Sequence, residues 1–305
     1  MYLTGSFFTS RWWSAVRPYI PRVVRKLLSR VYVAALKAVR KVVLLGELPL
    51  YVRNWGTYLL VHFYSSRGPF QVVLRNGLHI QMRPATYDDY IIREIFCTQS
   101  YRAGLEALEA ESSPTVLDLG AHIGTFSLMV AHALPRARIL AVEAVPENAS
   151  YLRVNVEQNG FSSRVRVFAG AVAATSGTLT MYLRDRTAQH SAVQKSEHSI
   201  TVPALTLDEL VARAGGSCDL LKLDIEGSEF EVLEAASAET LSRIKTIIME
   251  YHPFAGDPRR LVSRLSAQGF SISESIHGPL LFAVRAPTPS LRDRIKRLGY
   301  AYHSI

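Results

Sequence analysis

The sequence has little cysteine and no long apolar run. Its two cysteines, Cys97 and Cys218, stand far apart among 305 residues. Two isolated thiols fit a reducing compartment and offer neither zinc-site spacing nor a redox pair. We interpret both as packing residues. Because no uninterrupted run of about 18 apolar residues occurs, no membrane-spanning helix is predicted. A secretory signal is not expected either, since no compact apolar segment precedes a small-residue cleavage site.

Acidic residues are nearly absent from the first 60 positions. This segment contains ten lysines and arginines against one acid, Glu47, whereas the remainder contains 25 bases and 25 acids. The whole net charge of +9 therefore belongs to the N-terminal arm, residues 1–60. The neutral remainder is not expected to bind polyanions in general.

The arm has the pattern of a basic amphipathic helix. Apolar residues recur at helical spacing from Ile20 to Val42, with Trp12 and Trp13 just upstream. This pattern is typical of a helix lying in a bilayer surface, so we expect a cytoplasmic protein with peripheral contact at the inner membrane face. Two alternatives stay open: a mitochondrial targeting segment if the source is eukaryotic, and a helical cap with a solvated basic face.

The rest of the sequence is predicted to divide into three further segments. Residues 61–113 begin with a hairpin around Asn76-Gly77 and continue with a helical stretch over residues 87–109. Residues 114–285 alternate strands and helices and end in an antiparallel pair around His277-Gly278. This alternation predicts an α/β fold with a mainly parallel sheet, helices on both faces and an antiparallel C-terminal edge. The tail, residues 286–305, is expected to be peripheral.

The first strand-to-helix turn of this pattern reads DLGAHIGTFS and suggests a ligand site. Gly120 and Gly124 allow a sharp turn and close approach of the backbone to a ligand. Asp118 and the N-terminus of the next helix offer an acceptor and free N–H donors. Glu143 ends the second strand 19 positions after Gly124, where an acid typically binds a ribose diol.

The same turn lacks two glycines that a NAD fingerprint requires. Positions 122 and 125 are His122 and Thr125, so the pattern that approaches a pyrophosphate is missing. A nucleoside without a pyrophosphate is favoured, and S-adenosylmethionine is the obvious candidate. The alternatives are an ordinary tight turn for the glycines and a surface acid for Glu143.

At this level of detail the sequence resembles the FkbM family of S-adenosylmethionine-dependent methyltransferases. The blocks that carry the resemblance span residues 114–285: VLDLGAHIGTFS, VEAVPENASYLRVNVEQNG, LTLDEL, DLLKLDIEGSEFEVLEAA and IIMEYH. The most specific of them contains KLDIEGSE. The RNG and YDDYIIREIF segments ahead of them are also similar. His122 and Ala144 depart from the Asn and Pro that the family usually has there.

The resemblance implies a Rossmann-like class I methyltransferase fold with S-adenosylmethionine as cofactor. The cofactor-binding residues would be Asp118, Gly120, His122, Gly124, Glu143 and Lys222. The acceptor class that it implies is a sugar, a glycan or a related polyhydroxylated small molecule, methylated at a hydroxyl oxygen.

KLDIEGSEF carries four charges at the end of an apolar run. If the strand continues, Lys222, Asp224 and Glu226 point to one side, and Lys222 pairs with Asp224 or another carboxylate of the pocket. Ser228 is predicted to cap the following helix. Glu229 is interpreted as an acid of that helix's first turn.

Transfer to a hydroxyl needs a base to take its proton. The candidates are Asp224, Glu226, Glu250 and His252. A divalent ion on Asp224, Glu226 and His252 stays open, but we predict no metal. The polar segment 184–200 either shapes the acceptor site through His190, Ser191 and His198 or forms an exposed loop.

Two other functions remain open. A nucleic-acid methyltransferase would use the arm as an electrostatic clamp. It is disfavoured because the body is neutral and the strand-end block is DIEG rather than the Asn/Asp-Pro-Pro-aromatic block of base methylation. A non-catalytic membrane-associated protein that kept the fold is the third possibility.

Overall fold

The computed structural model describes residues 48–64, 68–84, 86–183, 198–276 and 278–302. The predicted amphipathic helix and its membrane contact therefore lie outside the described residues. Of the arm, the structure describes only residues 48–60. This part belongs to the body, since Leu48, Val52 and Tyr58 are buried against the hairpin. Helix α1, Trp55–Tyr64, begins within it.

An eight-stranded sheet forms the centre of the described structure, as the alternating pattern predicts. Five strands run parallel in the order β10-β9-β3-β4-β5. Their bounds are β3 Thr115–Leu119, β4 Arg138–Glu143, β5 Val165–Ala169, β9 Cys218–Leu223 and β10 Ile244–Glu250. Beyond β10, β12, Leu280–Arg285, pairs antiparallel with β10, and β11, Phe270–Ser275, pairs antiparallel with β12. The predicted antiparallel C-terminal edge is thus confirmed.

Both faces of the sheet are covered by helices. Leu117, Leu119 and Leu221 point to one face, whereas Val116 and Leu220 point to the other. The first face packs against α6 Leu207–Arg213, α7 Glu229–Ala235, α8 Ala238–Ser242 and α9 Pro258–Ala267. The second packs against α3 Arg102–Leu108, α4 Thr125–Ala133 and α5 Pro146–Gln158. Near-continuous apolar strands are expected of a parallel sheet that is buried on both sides.

The segment ahead of the sheet forms the predicted hairpin, and its helical part is divided. β1 Phe70–Val73 pairs antiparallel with β2 His79–Met82, and Gly77 has a positive φ of 93°. α2, Asp88–Phe96, is separated from α3 by Gln99 in a left-handed conformation, so the single helical stretch over residues 87–109 was wrong. A left-handed residue breaks the repeating α-helical geometry.

A second departure concerns the strands after β5. Gly170 separates β5 from β6, Ala171–Val172, which joins β7, Gly177–Leu183, and β8, His198–Leu205, in a three-stranded sheet. β7 is therefore not a strand of the main sheet, and β8 includes residues 198–200 at the end of the polar segment. His198 begins β8 and is exposed, whereas His190 and Ser191 lie outside the described residues.

The tail is part of the domain rather than peripheral. Its helix α10, Pro289–Arg297, places Ile295 fully inside the core. β13, Tyr300–Tyr302, adds a further antiparallel strand beside β11. Among the described residues, no helix has the length and apolar character needed to cross a membrane.

Replacing Ile295 with alanine tests this assignment of the tail. We expect a loss of about 2–4 kcal/mol in the free energy of unfolding, because a buried aliphatic side chain is replaced by a cavity. Chemical denaturation measures it, with Lys296→Ala on the exposed face of α10 as the matched control. Equal stability of the two variants would show that the tail is peripheral after all.

Candidate active site

The loops that carry the predicted residues meet at one edge of the sheet. β10, β9, β3 and β4 are consecutive and parallel, so their carboxyl ends lie side by side. The turn after β3, the turn after β9, the end of β10 and Glu143 therefore share this edge, where open α/β sheets bind ligands.

Gly120 and Gly124 shape the turn after β3. Both have positive φ, 78° and 92°, which confirms that the chain turns sharply there. A Cβ on Gly120 would lie 1.7 Å from the carbonyl oxygen of Asp224, and one on Gly124 would lie 2.4 Å from a methyl carbon of Leu152. The space that these glycines leave is thus filled by the protein itself. Close approach of this turn to a ligand on its other side stays a prediction.

Glu143 is held in place by three donors. One of its oxygens accepts a hydrogen bond from the backbone N–H of His122 (2.8 Å). The other accepts hydrogen bonds from the backbone N–H of Val145 (2.9 Å) and from the side-chain amide of Asn148 (3.2 Å). Burial raises the pKa of Glu143, although these hydrogen bonds act against that rise. The carboxylate is fixed at the strand end and retains acceptor capacity on both oxygens. These two acceptor oxygens fit a ligand with two neighbouring hydroxyls.

His122 contributes to this arrangement through its backbone. It adopts a left-handed conformation with φ of 51°, and its N–H reaches Glu143. Its ring is turned towards a different partner, since Nε2 lies 3.6 Å from Oδ1 of the buried Asp88. The ring is therefore placed between the glycine turn and the segment that precedes the sheet.

The side chains of Asp118 and Lys222 are buried against the turn after β3. The fully buried Asp118 accepts the hydroxyl of Ser127 (2.6 Å), and its other oxygen is 3.4 Å from Nζ of Lys222. Nζ donates to the carbonyl of Gly120 (2.7 Å) and lies 3.8 Å from Asp224. Both side chains therefore support the turn, and the pairing of Lys222 with Asp224 agrees with the sequence expectation. Their direct contact with a cofactor stays a prediction.

The strand does not continue as far as Glu226. β9 ends at Leu223, and Glu226 has a left-handed φ of 54°. The common side predicted for Lys222, Asp224 and Glu226 is thus wrong for Glu226, because a positive φ ends the alternation of an extended chain. The turn nevertheless brings Oε2 of Glu226 to 3.5 Å from Nε2 of His252.

Glu229 organises this turn, although we expected an ordinary acid at a helix start. It is fully buried and accepts the backbone N–H groups of Ile225 (2.9 Å) and Gly227 (3.0 Å). Its Oε1 also lies 3.0 Å from Nδ1 of His252. Ser228 occupies the position before α7, but its side chain makes no capping hydrogen bond, so that prediction was wrong.

His252 and Glu226 have strongly shifted pKa values. Burial alone would lower the pKa of His252, but the hydrogen bond to Glu229 and the charges of Asp224 and Glu226 raise it to about 9. Burial and the charge of Asp224 raise the pKa of Glu226 to about 8. With Nδ1 directed at Glu229, Nε2 and the Glu226 carboxyl form a pair that can exchange a proton.

Two acids from neighbouring elements extend this cluster. Burial and the charges of Asp224 and Glu94 raise the pKa of Glu250, the last residue of β10, to about 8. Burial and the charge of Asp224 raise the pKa of Glu94, in α2, to about 7. Such clusters of shifted carboxyl groups are frequent at active sites.

Sequence reasoning missed several residues of this site: Glu94, Tyr101, Glu229, Arg83, Asp88 and Asn148. The hydroxyl of Tyr101 donates to Oδ2 of Asp224 (3.2 Å) although 123 positions separate the two residues. Glu94 and Asp88 belong to YDDYIIREIF, which resembles the family, but nothing in the spacing links that segment to β9. Only Glu229 carried a local signal, as a charge inside KLDIEGSEF.

One group among the described residues has the geometry of a possible metal site. Ligand atoms of Asp224, Glu229 and His252 lie within 4.8 Å of one another, so Glu229 replaces the Glu226 of the sequence hypothesis. However, the Glu229 carboxylate already accepts two backbone N–H groups and faces His252 Nδ1. An ion would have to replace some of these contacts. A metal-free site therefore stays our prediction.

A family model described as "Methyltransferase FkbM domain" matches residues 118–272, half of the chain. The chain belongs to the FkbM methyltransferase family. The match begins at Asp118 and extends past His252, so all ten predicted site residues lie within it. The sheet order and flanking helices described above are those of the Rossmann-like class I methyltransferase fold.

The individual relatives of this chain are distant. "Methyltransferase sdnD" of Sordaria araneosa is 26% identical over 60% of this chain and 82% of its own length. The "31-O-demethyl-FK506 methyltransferase FkbM" of Streptomyces tacrolimicus is 24% identical over 65% of this chain and 88% of its own. Among solved structures, the methyltransferase FkbM from Methylobacillus flagellatus KT has 16% identity and a TM-score of 0.42, covering 65% of this chain and 56% of that one.

Replacing Glu229 with glutamine tests how His252 is held in this FkbM site. The amide keeps an acceptor for the two backbone N–H groups but removes the charge that favours the imidazolium. We expect the pKa of His252 to fall from about 9 by at least one unit. Ring ¹H–¹⁵N correlation spectra recorded against pH measure this pKa.

The matched control is Glu231→Gln, which removes an exposed acid from the same helix. The resonance of His252 is assigned by its loss in His252→Gln. A His252 pKa that is equal in Glu229→Gln and wild type would contradict the contact between the two side chains.

Proposed function

We propose that the protein is an S-adenosylmethionine-dependent O-methyltransferase acting on a hydroxyl of a sugar, a glycan or a related polyhydroxylated molecule. The observation that carries this proposal is the juxtaposition of two groups at one edge of the sheet. Glu143, fixed by three donors, stands at the end of β4, and the pair of Glu226 and His252 stands beyond β9 and β10. The first suits a ribose diol, and the second suits a hydroxyl that loses its proton.

The residues at the end of β4 fit the nucleoside part of the cofactor. Glu143 would accept hydrogen bonds from the two ribose hydroxyls, and the glycine turn beside it would face the amino-acid part. S-adenosylmethionine supplies an activated methyl group on a cationic sulfur. The acidic residues beyond β9 favour a cation at that place, because Asp224, Glu226 and Glu250 bring three carboxyl groups together there.

The residues beyond β9 and β10 would position and deprotonate the acceptor. Asp224 and Glu250 can accept hydrogen bonds from hydroxyls next to the reacting one, which aligns that oxygen with the methyl group. The pair of Glu226 and His252 would take the hydroxyl proton while the methyl group passes from sulfur to that oxygen, so that the sulfur–methyl bond breaks as the carbon–oxygen bond forms. Because the pKa of His252 is raised to about 9, Nε2 already carries a proton near neutral pH. The hydroxyl proton is therefore received at Oε2 of Glu226 in its ionised form, with His252 Nε2 beside it.

Calorimetric titration with S-adenosylmethionine and S-adenosylhomocysteine tests the cofactor part of the proposal. We expect micromolar binding by the wild type and its loss in Glu143→Ala, because the diol loses its acceptor. Glu157→Ala removes an exposed acid from α5 and should bind as the wild type does. Absence of binding by folded wild-type protein would overturn the enzyme assignment and favour a membrane-associated, non-catalytic role.

If the cofactor binds, the next experiment measures transfer of a labelled methyl group to a panel of free glycans, lipid-linked sugars and RNA. Transfer to hydroxylated glycans that is lost in His252→Gln would support the acceptor class. Transfer to RNA that weakens steeply with salt would instead support the nucleic-acid alternative. EDTA in the assay tests the prediction that no metal is required.

We also propose peripheral membrane contact through the arm, which places the acceptor or its pathway at the inner membrane face. Nearly all of the arm lies outside the described residues, and its charge of +9 is the support for this step. Each base near an anionic leaflet contributes about 1 kcal/mol. We expect co-sedimentation with phosphatidylserine-containing vesicles that is lost after deletion of residues 1–47 or at 1 M salt. Equal sedimentation with neutral vesicles, or none with either, would contradict it.

A further inference from the structure

A buried polar network joins the hairpin and α2 to the predicted ribose-binding acid. It consists of Arg83, just after β2, Asp88 at the start of α2, and Asn148 in α5. We call these three residues the Arg83 network. Each is at most 7% exposed, so every polar contact among them replaces contacts with water. Arg83 and Asp88 precede the part of the chain that matches the family model.

Arg83 and Asp88 form a two-pronged ion pair. Nε of Arg83 lies 3.0 Å from one oxygen of Asp88, and Nη2 lies 2.9 Å from the other. The backbone N–H of Arg83 donates to the same carboxylate (2.8 Å), and the guanidinium stacks over the ring of Tyr151. This geometry fixes the plane of the guanidinium, because bidentate pairs constrain orientation as well as distance.

The fixed guanidinium in turn sets the orientation of the Asn148 amide. Nη2 of Arg83 donates to Oδ1 of Asn148 (2.7 Å), and Nδ2 of Asn148 donates to Oε1 of Glu143 (3.2 Å). A guanidinium has only donors, so the amide oxygen must face Arg83 and the amide nitrogen must face Glu143. The acceptor oxygen of Glu143 favours the same orientation, so Arg83 and Glu143 hold the amide from its two sides.

A second route leads from Asp88 to the other oxygen of Glu143. Nε2 of His122 lies 3.6 Å from Oδ1 of Asp88, and the backbone N–H of His122 donates to Oε2 of Glu143. His122 adopts a left-handed conformation, which is unfavourable for a residue with a side chain and needs support from its surroundings. Asp88 thus contacts both residues that lead to Glu143, Arg83 through its guanidinium and His122 through its ring.

We propose that Arg83 and Asp88 are positioning residues for the cofactor, holding Asn148 and His122 so that both oxygens of Glu143 stay directed at the ribose hydroxyls. This inference rests on the proposed function, because it needs a diol bound at Glu143. The competing explanation is a purely structural one, in which the network only ties the hairpin to α5. The two explanations differ in whether Arg83 and Asn148 act on ligand affinity together or separately.

A double-mutant cycle on the affinity for S-adenosylhomocysteine separates them. We expect Arg83→Met and Asn148→Leu each to raise Kd about 10-fold, because each breaks the same connection to Glu143. The double variant should raise Kd no further, whereas independent effects would multiply to about 100-fold. Arg83→Lys keeps the charge beside Asp88 but cannot contact Asp88 and Asn148 in the same planar geometry. It should bind almost as weakly as Arg83→Met.

Gln158→Ala is the matched control. Gln158 joins the same hairpin to α5 through the carbonyl of His79 and the side chain of Gln71, but its contacts do not include Glu143. Its Kd should stay within about twofold of wild type. Near-UV circular dichroism selects the variants that are folded, and Arg83→Lys provides the measurement if Arg83→Met is not.

An unchanged Kd in a folded Arg83 variant, or multiplicative effects in the cycle, would overturn the inference and leave the proposed function intact. A loss of affinity in Gln158→Ala equal to that in Arg83→Met would overturn it as well. A wild type that does not bind S-adenosylhomocysteine would overturn the proposed function, and this inference with it.

Discussion

The close contact between the turns after β3 and β9 is the constraint on which the rest of the site depends. Gly120 lies so near the carbonyl of Asp224 that no side chain fits between them. Lys222, at the end of β9, donates from Nζ to the carbonyl of Gly120. Lys222 brings a buried charge, which is tolerated because Asp118, Asp224 and two backbone carbonyls surround it. Glycine at 120 and lysine at 222 therefore lock the two turns in one arrangement.

This arrangement creates an excess of acid at the edge of the sheet. Asp224, Glu226, Glu250 and Glu94 converge there, and burial and mutual repulsion raise the pKa values of the last three to between about 7 and 8. Such groups are easily protonated and deprotonated near neutral pH, a property that proton transfer requires. Glu229 has a different role, since its carboxylate serves the backbone of the turn and the His252 ring. Within KLDIEGSEF, Glu226 is thus the proposed proton acceptor, whereas Glu229 supports the turn.

The segment ahead of the sheet belongs to the site as much as the sheet does. It contributes Tyr101, whose hydroxyl contacts Asp224, and Glu94, whose charge acts on Glu250. Ile92 of α2 packs in one cluster with Ile123 and Leu128, next to the glycine turn. Because this segment packs on the glycine turn, its position affects the position of the turn at the candidate ligand site.

The sequence by itself determined the sheet, the hairpin and the edge at which the candidate residues meet, because these follow from local rules. Apolar alternation fixes strands and helices, Asn76-Gly77 fixes a turn, and acids at strand ends must meet where parallel strands end together. Tertiary structure alone decided that Ile295 is buried, that β7 leaves the main sheet and that Tyr101 reaches Asp224. It also decided that Glu229, rather than Ser228, organises the turn before α7. These features depend on contacts between residues distant in the chain or on the path of a turn, and spacing along the sequence carries no record of either.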